Sequence, residues 1–111
     1  MEFIETSIFK KKTKKLLCRA DKSRLKEELT ESPNKGAVIP GSGGLRKLRF
    51  AYGGQGTRGG LRVIYYWITD EGKILLLFAY PKTSQENLTH EQTNLLKTLV
   101  EQELQENHDG R

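Results

Sequence analysis

Two apolar runs joined by a short turn constrain this chain more than any other feature: LRVIYYWIT, Leu61 to Thr69, and ILLLFAY, Ile74 to Tyr80, linked through TDEGK. β-branched and aromatic residues crowd the first run, a composition that suits a pleated surface. Asp70 and Gly72 stand where a tight hairpin turn needs them. The second run is apolar on both faces, which fits a strand in the middle of a sheet better than one at its edge, and Pro81 ends it. An antiparallel sheet is therefore the expected core.

A third strand of different character precedes them. In LRKLRF, Leu45 to Phe50, alternation sends Arg46, Leu48 and Phe50 to one face and Leu45, Lys47 and Arg49 to the other. Between this strand and Leu61 lies a literal G-x-G-x-x-G in Gly54, Gly56 and Gly59. A dinucleotide cradle needs that motif to open a helix, with an acid about 20 residues on for the ribose. Here a strand follows instead. The glycines are read as a wide hairpin loop, one still able to approach a phosphate closely.

Helices are expected on either side of the strands. After a short strand at Phe3 to Glu5, Ser7 is placed to cap a helix marked by Ile8, Phe9, Leu16 and Leu17. A second helix is expected with Asp21 as its cap, Leu25 and Leu29 on one face and Pro33 as its stop. The passage from Asn34 to Gly44 reads as irregular and turn-rich. Near the end, Thr89 and Gln92 have capping-box spacing, and Leu95, Leu96, Leu99, Val100 and Leu104 form one stripe. The fold class is thus α+β: a small antiparallel-cored sheet with two N-terminal helices and one C-terminal helix, in a single domain over residues 1–105 with a polar tail at 106–111.

The net charge is +5, yet no Asp or Glu occurs between Ser32 and Thr69, where Lys35, Arg46, Lys47, Arg49, Arg58 and Arg62 fall. A basic centre among aromatic residues is the electrostatic footprint of a phosphate-backbone partner. A second basic block, Lys10 to Lys15, supplies Lys11, Lys12 and Lys15 as candidate RNA contacts, alternatively a solvated helix face. The histidines, His90 and His108, lie far from the basic strands, and the centre has no carboxylate pair, so neither histidine acid/base chemistry nor two-metal phosphoryl chemistry can be built there. The lone Cys18 has no partner for a disulfide or a metal site and reads as a small residue near a helix end. No cofactor and no metal are expected. The longest apolar run is too short to span a membrane, and the N-terminus lacks signal-peptide features, so a cytoplasmic protein is expected.

The basic residues that a meander would gather are Lys47 and Arg49 on one strand face, Arg62 across the hairpin, and Lys82 after the buried run. Such cations can hold a phosphate and stabilise the charge that develops when a neighbouring RNA 2′-hydroxyl attacks it. Arg46 and Arg58 are candidate backbone contacts or solvated charges. Tyr80 is a candidate for base stacking or for the core.

GLRKLRF, TRGGLRVIYYW and LLFAYPK, in this order and followed by LTHEQTNLLKTLVEQEL, resemble the RelE/ParE superfamily of toxins from type II toxin-antitoxin modules, in its HigB-like, RelE-type branch. The resemblance covers about residues 1 to 105. It implies a ribosome-dependent endoribonuclease that enters the decoding site and cuts messenger RNA, inhibited by a cognate antitoxin. It also implies a basic active site at Lys47, Arg49, Arg62 and Lys82. Thr83 and Leu88 stand where RelE-type enzymes often carry an arginine and a catalytic tyrosine, so no residue is assigned as general base or acid. A topoisomerase-binding, ParE-like toxin and a non-catalytic RNA-binding module are the alternatives.

Overall fold

The computed structural model describes residues 1–53 and 60–109, and in it the two apolar runs form an antiparallel hairpin. β4 (Leu61–Ile68) and β5 (Lys73–Pro81) are joined by one turn of 3-10 helix, Thr69–Glu71, closed by Gly72 at φ 62°. Glycine enters that left-handed conformation without steric cost. On the other side of β4, β3 (Arg46–Phe50) pairs antiparallel, from Arg46↔Tyr65 to Phe50↔Leu61. β1 (Glu2–Glu5) lies parallel to β5, and β2 (Ala37–Val38) antiparallel to β3, giving a five-stranded order β1-β5-β4-β3-β2 among the described residues.

β2 falls in the passage expected to be irregular. It is two residues long and held by the pairs Ala37↔Lys47 and Val38↔Arg46, too short for side-chain alternation to reveal it. The passage leading into it is pinned from the sheet. Tyr65 Oη donates to Pro33 O at 2.7 Å and accepts from Gly36 N at 2.9 Å, while Arg46 donates to Gly36 O at 2.7 Å. A Cβ on Gly36 would stand 2.8 Å from the Tyr65 ring, so only glycine allows this approach.

The helices also start where different side chains can cap them. α1 (Ser7–Thr13) is capped by Thr6, whose Oγ1 accepts from Phe9 N at 3.1 Å, and not by Ser7. It stops at Thr13, leaving Leu16 and Leu17 in the turn beyond. α2 (Arg19–Glu31) begins after Cys18, with Asp21 inside the first turn accepting from Cys18 N at 3.2 Å. α3 (His90–Asp109) has the reciprocal cap expected: Thr89 N donates to Gln92 Oε1 and Gln92 N to Thr89 Oγ1, both at 3.0 Å. Its helical backbone continues past residue 105 to Asp109.

Helices cover both faces of the sheet. Leu25 and Leu29 of α2 pack with Phe9 on Leu48, Phe50, Leu61, Val63 and Tyr65. Leu96 and Val100 of α3 pack on the reverse, against Leu45, Ile64, Leu75 and Leu77. One irregularity lies between them. Ile64 pairs with Phe78 but Tyr65 pairs with Leu76, leaving Leu77 as an extra residue in β5. Leu77 and Phe78 consequently both face the α3 side, and so does Tyr80.

Two carboxylates tie the α2 layer together. Burial raises Asp21, but bonds from the Cys18 and Gly53 amides and from Arg24 outweigh it and hold its carboxyl below the usual range. Burial likewise raises Glu5, and Lys22 and Lys26, each 3.2 Å away, more than reverse it. Carboxylates with depressed folded-state pKa values stabilise the fold above their unfolded pKa, and that stability is lost as pH falls through the folded one. Asp21→Asn should therefore lower stability by about 1–3 kcal/mol near neutrality. In thermal melting, its deficit against the parent should shrink as pH falls through the ordinary aspartate range and below it.

Candidate functional site

At the end of the sheet where β3 finishes and β4 begins, three strands place one row of residues side by side. Arg49 of β3 pairs with Arg62 of β4, which pairs with Tyr80 of β5. The next row inward is Lys47, Ile64 and Phe78. Alternation puts both rows on the α3 face, where α3 packs on the middle of the sheet. Lys47 and Arg49, separated by Leu48 on the opposite face, are thus presented together.

The cations of this face differ in their exposure. Arg49 and Lys82 are exposed, Lys47 is half-buried, and Arg62 is only 7% exposed. A cation withdrawn from water acts more strongly on a neighbouring anion than a solvated one. Lys82 follows β5 directly, and its amide donates to Gly60 O at 3.3 Å, which keeps it beside the start of β4. Lys12 of α1 joins the same face from the opposite edge, its Nζ 5.3 Å from the centre of the Phe78 ring. The Phe78 and Tyr80 rings lie 5.8 Å apart, centre to centre.

Tyr80 is 1% exposed, so its ring is part of the core and is not open for a base to stack on. Burial pushes its hydroxyl pKa up, with the charge of Arg62 opposing, and the phenol is neutral at physiological pH. Its hydroxyl reaches Glu86 O at 3.5 Å, in the connection from β5 to α3. That connection crosses back over the sheet, and Asn87 Oδ1 accepts from Lys47 Nζ at 3.0 Å. Beside this contact is a groove of about 370 Å³ whose walls include Ile39, Pro40, Lys47, Asn87 and Leu88.

The structure brings Lys47, Arg49, Arg62 and Lys12 to one face, with Lys82 just past the end of β5 at its edge. Arg46 is on the other: besides Gly36 O it reaches Asn34 O at 3.3 Å, and its guanidinium carbon lies 5.9 Å from the Trp67 ring centre. Lys11 and Lys15 are exposed, the first on α1 and the second in the turn after it. Arg58 lies outside the described residues, as do Gly54, Gly56 and Gly59. Asn87 was not anticipated from sequence, because it is 40 residues from Lys47 and carries no charge signal. No helix among the described residues is long and apolar enough to cross a membrane.

Comparison with known proteins agrees with this architecture. The fold is similar to that of the E. coli toxin RelE, solved as a double-arginine mutant in the free state, with a TM-score of 0.54 and 19% identity over 77% of this chain and 86% of that one. Residues 5–109 match the family model described as the RelE toxin of the RelE/RelB toxin-antitoxin system. With nearly its whole length matched, the chain belongs to the RelE toxin family.

Proposed function

We propose that this toxin is a ribosome-dependent endoribonuclease that cuts messenger RNA in the decoding site, and that its cognate antitoxin holds it inactive. The observation that carries this reading is the row Arg49–Arg62 with Lys47 beside it on one sheet face and Lys82 at its edge. In the proposed step the 2′-oxygen of a nucleotide attacks the adjacent phosphorus. The new P–O2′ bond forms as the P–O5′ bond breaks, leaving a 2′,3′-cyclic phosphate on one fragment and a 5′-hydroxyl on the other. The 2′-oxygen loses a proton and the 5′-oxygen gains one. Because the nucleophile belongs to the substrate, no metal-activated water is needed. The protein's contribution is to orient the phosphate and oppose the negative charge gathering on its oxygens.

Arg62 suits the charge-stabilising role because the pairings on both sides fix its strand position and burial limits its hydration. Lys47 and Arg49 supply flanking charge, Lys82 the far edge, and Lys12 a contact further along the message. The reading places the protein in the cytoplasm, where translation runs. A topoisomerase-binding toxin would have no evident use for a buried arginine in a row of cations, and a simple RNA-binding module would rely on exposed charge alone.

Arg62→Ala is expected to lower cleavage of a ribosome-bound message by about 10²- to 10³-fold. Arg46→Ala, on the other face, should cut normally while losing about 1 kcal/mol of stability with its carbonyl contacts. Cut-site mapping beside thermal melting separates the two, and a folded Arg62→Ala variant that cuts at the parent's rate would defeat the assignment. Binding through several phosphates also releases counterions, so affinity for ribosomes and RNA should fall steeply between about 50 mM and about 200 mM salt. A flat titration would show that the basic face is not the contact surface.

A further inference from the structure

Lysine side chains are flexible, and an ammonium that must meet one phosphate oxygen loses much rotamer freedom when it does so. Lys47 has a device that reduces this loss. Its Nζ donates to Asn87 Oδ1 at 3.0 Å, although the two residues come from β3 and from the connection between β5 and α3.

Asn87 is itself held. Gln85 Nε2 donates to Asn87 O and to Gln92 Oε1, both at 2.8 Å, and Gln92 belongs to the reciprocal cap with Thr89 at the start of α3. On the preceding side, Glu86 O is approached by Tyr80 Oη. The main chain that carries this amide is therefore tied at once to the first turn of α3 and to the end of β5.

The acceptor's chemistry matters as much as its position. A carboxylate there would hold the ammonium more strongly but would cancel its charge and compete with phosphate. A neutral amide oxygen takes one N–H and leaves the charge whole, with the remaining two N–H groups free to meet an anion. Among the described residues, the ion pairs engage Lys22, Arg24, Lys26, Lys35 and Lys73, and not Lys47.

We infer that Asn87 is a positioning residue for Lys47, holding its ammonium at the edge of the Arg49–Arg62 row in the orientation that meets the scissile phosphate without neutralising it. This rests on the cleavage reading of the same site. The test is single-site cleavage of a ribosome-bound message by the parent, Asn87→Ala, Lys47→Ala and the double variant, with kcat and KM resolved and folding checked by thermal melting. Asn87→Ala should lower kcat by about ten- to a hundredfold with KM little changed. In the Lys47→Ala background the same substitution should cost almost nothing further, since its effect passes through the lysine. If Asn87→Ala cuts like the parent, or costs as much without Lys47 as with it, the inference falls while the cleavage reading stands. A parent that cuts nothing overturns both. Should Asn87→Ala fail to fold, Asn87→Asp, which keeps the shape, tests the same contact. It should fold and cut more slowly because its charge captures the ammonium, and cutting at the parent's rate overturns the inference.

Discussion

The one extra residue in β5 decides what this sheet can do. Had β4 and β5 paired without it, residues 74 and 76 would have kept their parity to the end of the strand, and Ala79 would have faced the α3 side in place of Tyr80. The bulge at Leu77 reverses the alternation at that point. Phe78 comes to lie under Lys12, and Tyr80 beside Arg62 with its hydroxyl toward the returning connection. The surroundings of the cationic row thus depend on a local irregularity in the most apolar strand of the chain.

The two faces of the sheet use their cations in different ways. Toward α2 they are engaged within the protein: Lys22 and Lys26 with Glu5, Arg46 with main-chain carbonyls, and Arg24 with Asp21, the Ala51 carbonyl and the Phe50 ring. These contacts fix the helix layer and the entry to β2. Toward α3, Lys47 meets a neutral amide, while Arg49 and Lys82 face solvent. Charge on the first face serves stability. On the second, Lys47, Arg49 and Lys82 enter no ion pair among the described residues, and the proposed reading gives that charge to an anionic polymer.

Sequence made β3 legible because its two faces differ in kind: Leu48 and Phe50 need cover while Lys47 and Arg49 do not, so alternation assigned each side chain correctly. The meeting of Arg49 and Arg62 followed from meander topology alone, and the cap of α3 from Thr89 and Gln92. β5 concealed its bulge for the opposite reason. A run that is apolar on both faces carries no alternation, so a shift of one residue leaves no trace in the pattern. Hence Tyr80 could be read as a stacking platform, though it is buried. β2 was illegible because two residues carry no alternation, and the Lys47–Asn87 contact because it joins segments distant in sequence through a neutral amide. Arg46 shows a further limit: its basic character was legible, but its use in binding the carbonyls of a loop was not.

The central claim is that this basic face promotes attack by the message's own 2′-hydroxyl. It is tested most directly by replacing that hydroxyl with hydrogen at the mapped cut site of a ribosome-bound message. If the claim holds, the single 2′-deoxy substitution abolishes cleavage at that position while the toxin still binds the programmed ribosome, and the unsubstituted message yields a 2′,3′-cyclic phosphate end. Cleavage of the 2′-deoxy message at the rate of its parent would contradict it.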